Sequence, residues 1–132
     1  MKPGEYKLAR HLGGRMHYAR VKVEVTLKAQ GITIADSAFA WLKDVYGPDA
    51  WEWRDCDDMR DSARAGAAHA LENLVRPAPL VGVVVTEIHA SSIDTSCADV
   101  AFATCFAVWE ALGDHGRMQP TLHQEWPLRR RT

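Results

Sequence analysis

The chain has 132 residues, 47% of them hydrophobic and 25% charged, with a formal net charge of −1. That length fits one domain able to bury its own core, and the composition is that of a globular protein. No apolar run approaches the ~20 residues that cross a bilayer, and the start MKPGEYKLAR lacks the apolar stretch of a signal peptide, so a cytoplasmic protein with no membrane part is expected.

The near-neutral total conceals a pattern. Residues 1–28 carry seven Lys/Arg against Glu5 and Glu24 (+5), and residues 29–62 carry three against eight acids (−5). Residues 63–115 carry two against six (−4), and residues 116–132 four against one (+3). Both ends are basic and the middle is acidic. A basic end can meet phosphates even when the molecule as a whole is neutral.

In chain order, residues 5–12 read as a strand that Gly13-Gly14 interrupts. From Arg20, Val21, Val23, Val25 and Leu27 alternate with Lys22, Glu24, Thr26 and Lys28, the pattern of a strand with one buried and one wet face. Residues 31–36 read as a short strand after a Gln30-Gly31 turn, so 20–36 is expected to form a hairpin. Asp36 is placed to cap a short helix over 37–46, with Phe39, Leu42, Val45 and Tyr46 on its inner side and Gly47-Pro48 as its stop. An acidic loop over 48–58 leads into a helix at about 57–75. There Ala63, Gly66, Ala67 and Ala70 suggest close packing on a sheet, and Asp57, Asp58 and Asp61 suit the positive end of the helix dipole. Residues 80–88, LVGVVVTEI, are apolar enough for a central strand. Ser96 and Asp99 fit a capping box for a last helix whose buried stripe is Val100, Ala101, Thr104, Cys105, Val108 and Leu112, ended by Gly113. Strands first and helices later point to an α+β two-layer sandwich over residues 1–113, followed by a basic tail over 114–132.

Phosphate-cradling loops, HExxH and GxSxG are missing from the sequence, and Cys56, Cys97 and Cys105 have no metal-ligand spacing. No cofactor, metal or nucleotide is therefore expected. Cys97 and Cys105 read as small core residues and Cys56, among acids, as an unreactive thiol.

Several segments together resemble domain IV of bacterial elongation factor G. GGRMHYARVKVEV (13–25) is similar to a glycine-arginine-tyrosine segment of that domain, coinciding at Gly13, Gly14, Arg15, Tyr18, Val21, Lys22 and Glu24. SARAGAAHAL (62–71) matches its helix at Gly66, Pro79 and the following strand match in place, and IDTSCADVAFA (93–103) matches at Asp94, Val100, Ala101 and Phe102. The resemblance covers about residues 7–112 and lacks the GTPase part entirely. It implies the fold of ribosomal protein S5 domain 2, a βββαβα sandwich with a left-handed βαβ crossover. It also implies two tip loops that reach into the ribosome, here Arg15–Arg20 and His89–Asp94. An insertion at about 37–56, bearing Trp41, Trp51 and Trp53, departs from the family pattern.

Arg15, His17, Tyr18 and Arg20 join positive charge to an aromatic ring, a set suited to RNA backbone and base contacts, with His89, Ser91, Ser92 and Asp94 in the second loop. A Ser/His/Asp trio this closely spaced does not form a catalytic triad, and a polar turn is the expected structure there. Trp41, Trp51 and Trp53 either cap the core or offer an aromatic patch to a protein partner or a second copy. The expected function is a non-catalytic module binding ribosomal or other structured RNA. The alternative is a protein-interaction or homo-oligomerisation module acting through the acidic, Trp-bearing insertion.

Overall fold

A computed structural model describes residues 1–49, 56–91 and 93–122. Seven elements follow one another: β1 (Lys2–Leu12), β2 (Arg15–Thr26), β3 (Gly31–Ile34), α1 (Trp41–Tyr46), α2 (Cys56–Glu72), β4 (Gly82–His89) and α3 (Cys97–Leu112). The four strands form one mixed sheet in the order β1-β2-β4-β3, and α2 and α3 pack together over one of its faces. The protein is thus an α+β two-layer sandwich.

β1 and β2 are an antiparallel hairpin whose register runs from Lys2 opposite Val25 to Leu12 opposite Arg15. Gly13 and Gly14, both at positive φ (63° and 77°), make the two-residue turn, a conformation that side-chained residues adopt only at a cost. The strand alternation extends further back than the apolar residues suggest. His17, Ala19, Val21, Val23 and Val25 face the helices, while Tyr18 and Arg20 lie on the open face.

The expected 20–36 hairpin does not form. β4 lies between β2 and β3, antiparallel to the first and parallel to the second. Val83, Val85 and Ile88 of β4 are all essentially buried, so this strand takes the centre, and the four-residue β3 is left at an edge. The parallel β3–β4 pairing needs a long crossover, which α2 supplies.

The short helix also differs from its sequence reading. Residues 35–40 form successive turns, α1 starts at Trp41, and its N-cap is Ala40 without a side-chain cap, so Asp36 does not serve. Phe39 and Leu42 are buried, but Val45 (57%) and Tyr46 (64%) are exposed, because a six-residue helix turns only one face inward. The small residues of α2 do achieve close packing, but mainly against α3 and less against the sheet. A Cβ on Gly66 would overlap the Ala101 carbonyl, and Ala63, Ala67 and Ala70 have no exposed surface.

α3 begins with the expected capping box, Ser96 Oγ accepting from Asp99 N and Asp99 Oδ2 from Ser96 N, and ends at Gly113 in the left-handed conformation. Its stripe is buried as expected, Leu112 partly so, and burial pushes the Cys105 thiol pKa far up. Cys97, by contrast, is half-buried.

The first part of the tail is not free. Asp114 accepts from Val75 N and Arg76 N, Arg117 donates to the carbonyl of Glu72, the last residue of α2, and Leu122 packs on Leu8 and Phe102. Although burial alone raises the Asp114 pKa, backbone N–H donors from Gly116, Val75, Arg76 and His115 outweigh it and hold the carboxyl below its usual value.

Candidate nucleic-acid interface

Arg20 on β2 stands opposite His89 on β4, so Tyr18 and the segment after His89 meet at one end of the sheet. Beyond them, the rest of the β1–β2 hairpin projects as an arm to the Gly13-Gly14 turn. Arg15–Arg20 is therefore not a loop but the first half of β2, and only Arg15 of the four candidates there is fully exposed.

The segment from Ala90 to Ser96 is strapped to that end by its own polar groups. Ser91 Oγ accepts from Ile93 N and Asp94 N, and Thr95 Oγ1 accepts from Ser91 N while donating to Tyr18 O at 2.6 Å. Tyr18 N donates to Asp94 O at 3.1 Å. Tyr18 is thus tied to this segment by one backbone bond to Asp94 and one side-chain bond from Thr95, a contact that strand periodicity alone does not reveal. Ile93 (84% exposed) stands at the crest of the turn.

On the open face, Tyr18 Oη and His89 Nδ1 are 2.9 Å apart, with the Tyr18 ring edge-on to the imidazole. The indole of Trp41 lies over the other side of His89, ring centroids 4.1 Å apart, and its Nε1–H donates to Ile88 O. Trp41, only 8% exposed, is a core residue and leaves almost no surface for the protein partner considered for it. Burial raises the Tyr18 pKa and lowers that of His89. Arg20 adds to the lowering of His89, and Glu87 partly opposes it. Both shifts favour the neutral forms, and in the tautomer protonated on Nε2 the His89 Nδ1 accepts from the Tyr18 hydroxyl.

Two candidate cations do not present free charge. Arg20 donates to Glu87 at 3.1 Å and lies 3.6 Å from Glu5. His17, on the helix side and 7% exposed, is bonded through Nδ1 to Asp99 Oδ1 at 2.7 Å, and Asp99 is fully buried. His17 is a structural tie between β2 and the start of α3, not an RNA contact. Its position is readable in retrospect: it lies in the same odd-numbered phase as Val21, Val23 and Val25. The second role of Asp99, beyond its cap, carried no signal in the sequence. Ser92, Trp51 and Trp53 lie outside the described residues.

Among the described residues, no cluster of three His, Cys, Asp or Glu could hold a metal ion, and no helix is long and apolar enough to cross a membrane. No known protein family matches the sequence, and no curated protein does. The architecture does match solved structures. The crystal structure of ttk003000868 from Thermus thermophilus superposes with a TM-score of 0.57 at 15% sequence identity, over 80% of this chain. The match covers 14% of that chain, so the present fold corresponds to a small part of a much longer protein. At this identity the likeness establishes the fold alone.

Proposed function

We propose that the chain is a non-catalytic binding module, similar to domain IV of elongation factor G, that contacts ribosomal or other structured RNA through the β1–β2 arm and the adjoining 89–94 segment. The observation that carries this reading is the arm itself. No carboxylate occurs between Glu5 and Glu24, and Lys7, Arg10 and Arg15 are exposed with no carboxylate partner among the described residues. The 89–94 segment contributes shape more than charge, since it has no Lys or Arg. A non-catalytic role is supported by Ser91, whose hydroxyl holds the turn together.

The test is binding of the intact protein to ribosomal subunits and to a labelled RNA stem-loop across a salt series. Binding that weakens with salt and weakens further in Arg10→Ala/Arg15→Ala supports the proposal. Absence of binding at low salt refutes it. The alternative, a protein-interaction surface on the insertion, rests on exposed Val45 and Tyr46 of α1. A strictly monomeric protein by light scattering, unchanged by Tyr46→Ala in partner capture, would remove it.

A further inference from the structure

The sheet order leaves β1 paired on one side only. With 11 residues it is much longer than β3, the four-residue strand at the other edge. Along an antiparallel ladder, successive residues turn their N–H and C=O groups alternately toward the partner strand and away from it. Glu5 N donates to Glu110 Oε1 of α3, so Glu5 faces away from β2. The β1–β2 register runs without a shift from there to the turn, so Lys7, Ala9 and His11 face the same way. The main-chain groups of these three residues have no hydrogen-bond partner among the described residues.

The two halves of this edge differ. Pro3 has no N–H to offer and Glu110 occupies that of Glu5, so the first half is closed to a further strand. Residues 7–11 carry no such block. The charge around them is of one sign. Lys7, opposite Arg20, lies on the open face with His11, Arg10 lies on the helix side, and no carboxylate occurs between Glu5 and Glu24. A second copy pairing here would gather the cations of two arms with no carboxylate between them, which is unfavourable. A strand that carries carboxylates meets the same charges favourably. On the helix side, Phe102 and Leu122 seal Leu8, while the stacked rings of Tyr6 and Phe106, centroids 5.1 Å apart, keep part of their surface exposed.

We infer that residues 7–11 of β1 take up an extended acidic peptide by strand addition. The peptide continues the ladder at Lys7, Ala9 and His11, with its carboxylates beside Lys7 and its alternate apolar side chains toward Tyr6 and Phe106. Main-chain bonds then supply affinity, and the alternation of side chains supplies specificity. The RNA reading uses the charges of the arm and not its main-chain edge, so the two stand or fall separately.

The experiment measures fluorescence anisotropy of two labelled octapeptides with the full-length protein. One is a Glu-Val repeat; the other is a Glu-Pro repeat, which carries the same charge but cannot build a ladder. The parent is expected to bind the first about tenfold or more tightly than the second. Ala9→Pro deletes an N–H that faces away from β2, a change that edge strands tolerate. It is expected to weaken the Glu-Val peptide by about tenfold while affinity for the RNA stem-loop stays within about twofold. Equal affinity for the two peptides shows that charge alone acts and overturns the inference, whether or not Ala9→Pro folds. Parental peptide affinity in an Ala9→Pro protein that circular dichroism shows to be folded overturns it as well. A parent that self-associates in light scattering and becomes monomeric in Ala9→Pro assigns the edge to a second copy and overturns the acidic partner. A parent that binds RNA but neither peptide overturns this inference and leaves the RNA reading standing.

Discussion

The two segments that meet at the end of the sheet are built in opposite ways. The β4–α3 segment directs its hydroxyls and backbone groups inward: Ser91, Thr95, Ser96 and Asp99 all bond within the turn, the cap or β2. The β1–β2 arm beyond Tyr18 is held by strand pairing and a two-glycine turn, and its long cationic side chains, Arg10 and Arg15, are exposed, Arg10 with its guanidinium over the Phe102 ring. The first segment has order without charge, and the second has charge with little tertiary support. Substitutions should accordingly divide: those in the first act on stability, those in the second on binding.

Asp99→Ala should produce the largest effect. It removes the cap on Ser96 N and leaves the buried His17 Nδ1 without a partner, a combined loss of about 2–4 kcal/mol by urea unfolding. An unfolding midpoint equal to that of the parent would show that the tie is not structural. Tyr18→Phe should come next, at about 1 kcal/mol, since it removes one half-buried hydrogen bond to His89 and leaves the ring packing.

A pH series sharpens the comparison further. Burial lowers the His89 pKa in the folded state, so the unfolded chain binds the proton more readily. This stabilising contribution is fully present above the unfolded value of about 6.5 and is lost as pH falls from there toward the folded pKa. Thermal melts should therefore show a lower midpoint at pH 5.5 than at pH 7.5, with a smaller difference in His89→Gln. An identical pH response in the two proteins would contradict the assignment. Arg15→Ala should have the smallest effect on stability, within about 0.5 kcal/mol. Its consequence should lie in RNA affinity, and a destabilised but fully binding Arg15→Ala protein would reverse the division drawn here.

Much of the architecture was legible because it is encoded locally. The alternation of Val21, Val23 and Val25, the α3 capping box and its Gly113 stop each reside in a few consecutive residues, and each formed as read, whereas Leu27, read into that alternation, falls past the end of β2 and is exposed, and Gly13-Gly14, read as an interruption, makes a hairpin turn. The misreadings arose where a segment has two acceptable partners. Residues 31–34 can hairpin with β2 by proximity, but the more apolar β4 competes for the same edge and wins it by burying more surface. The small residues of α2 fit a sheet or a helix equally well, and only the position of Ala101 decided for α3.

The candidate site divides in the same way. The sequence by itself determined which residues carry charge and which are aromatic, and so located the acid-free stretch containing Lys7, Arg10 and Arg15. Tertiary structure decided which of those groups remain available. It paired Arg20 with Glu87, buried His17 against Asp99, covered His89 with Trp41 and seated Leu122 at the root of the arm. The physical reason is that side-chain chemistry belongs to single residues, whereas burial and charge pairing depend on neighbours as many as 114 positions away, as Leu8 and Leu122 are.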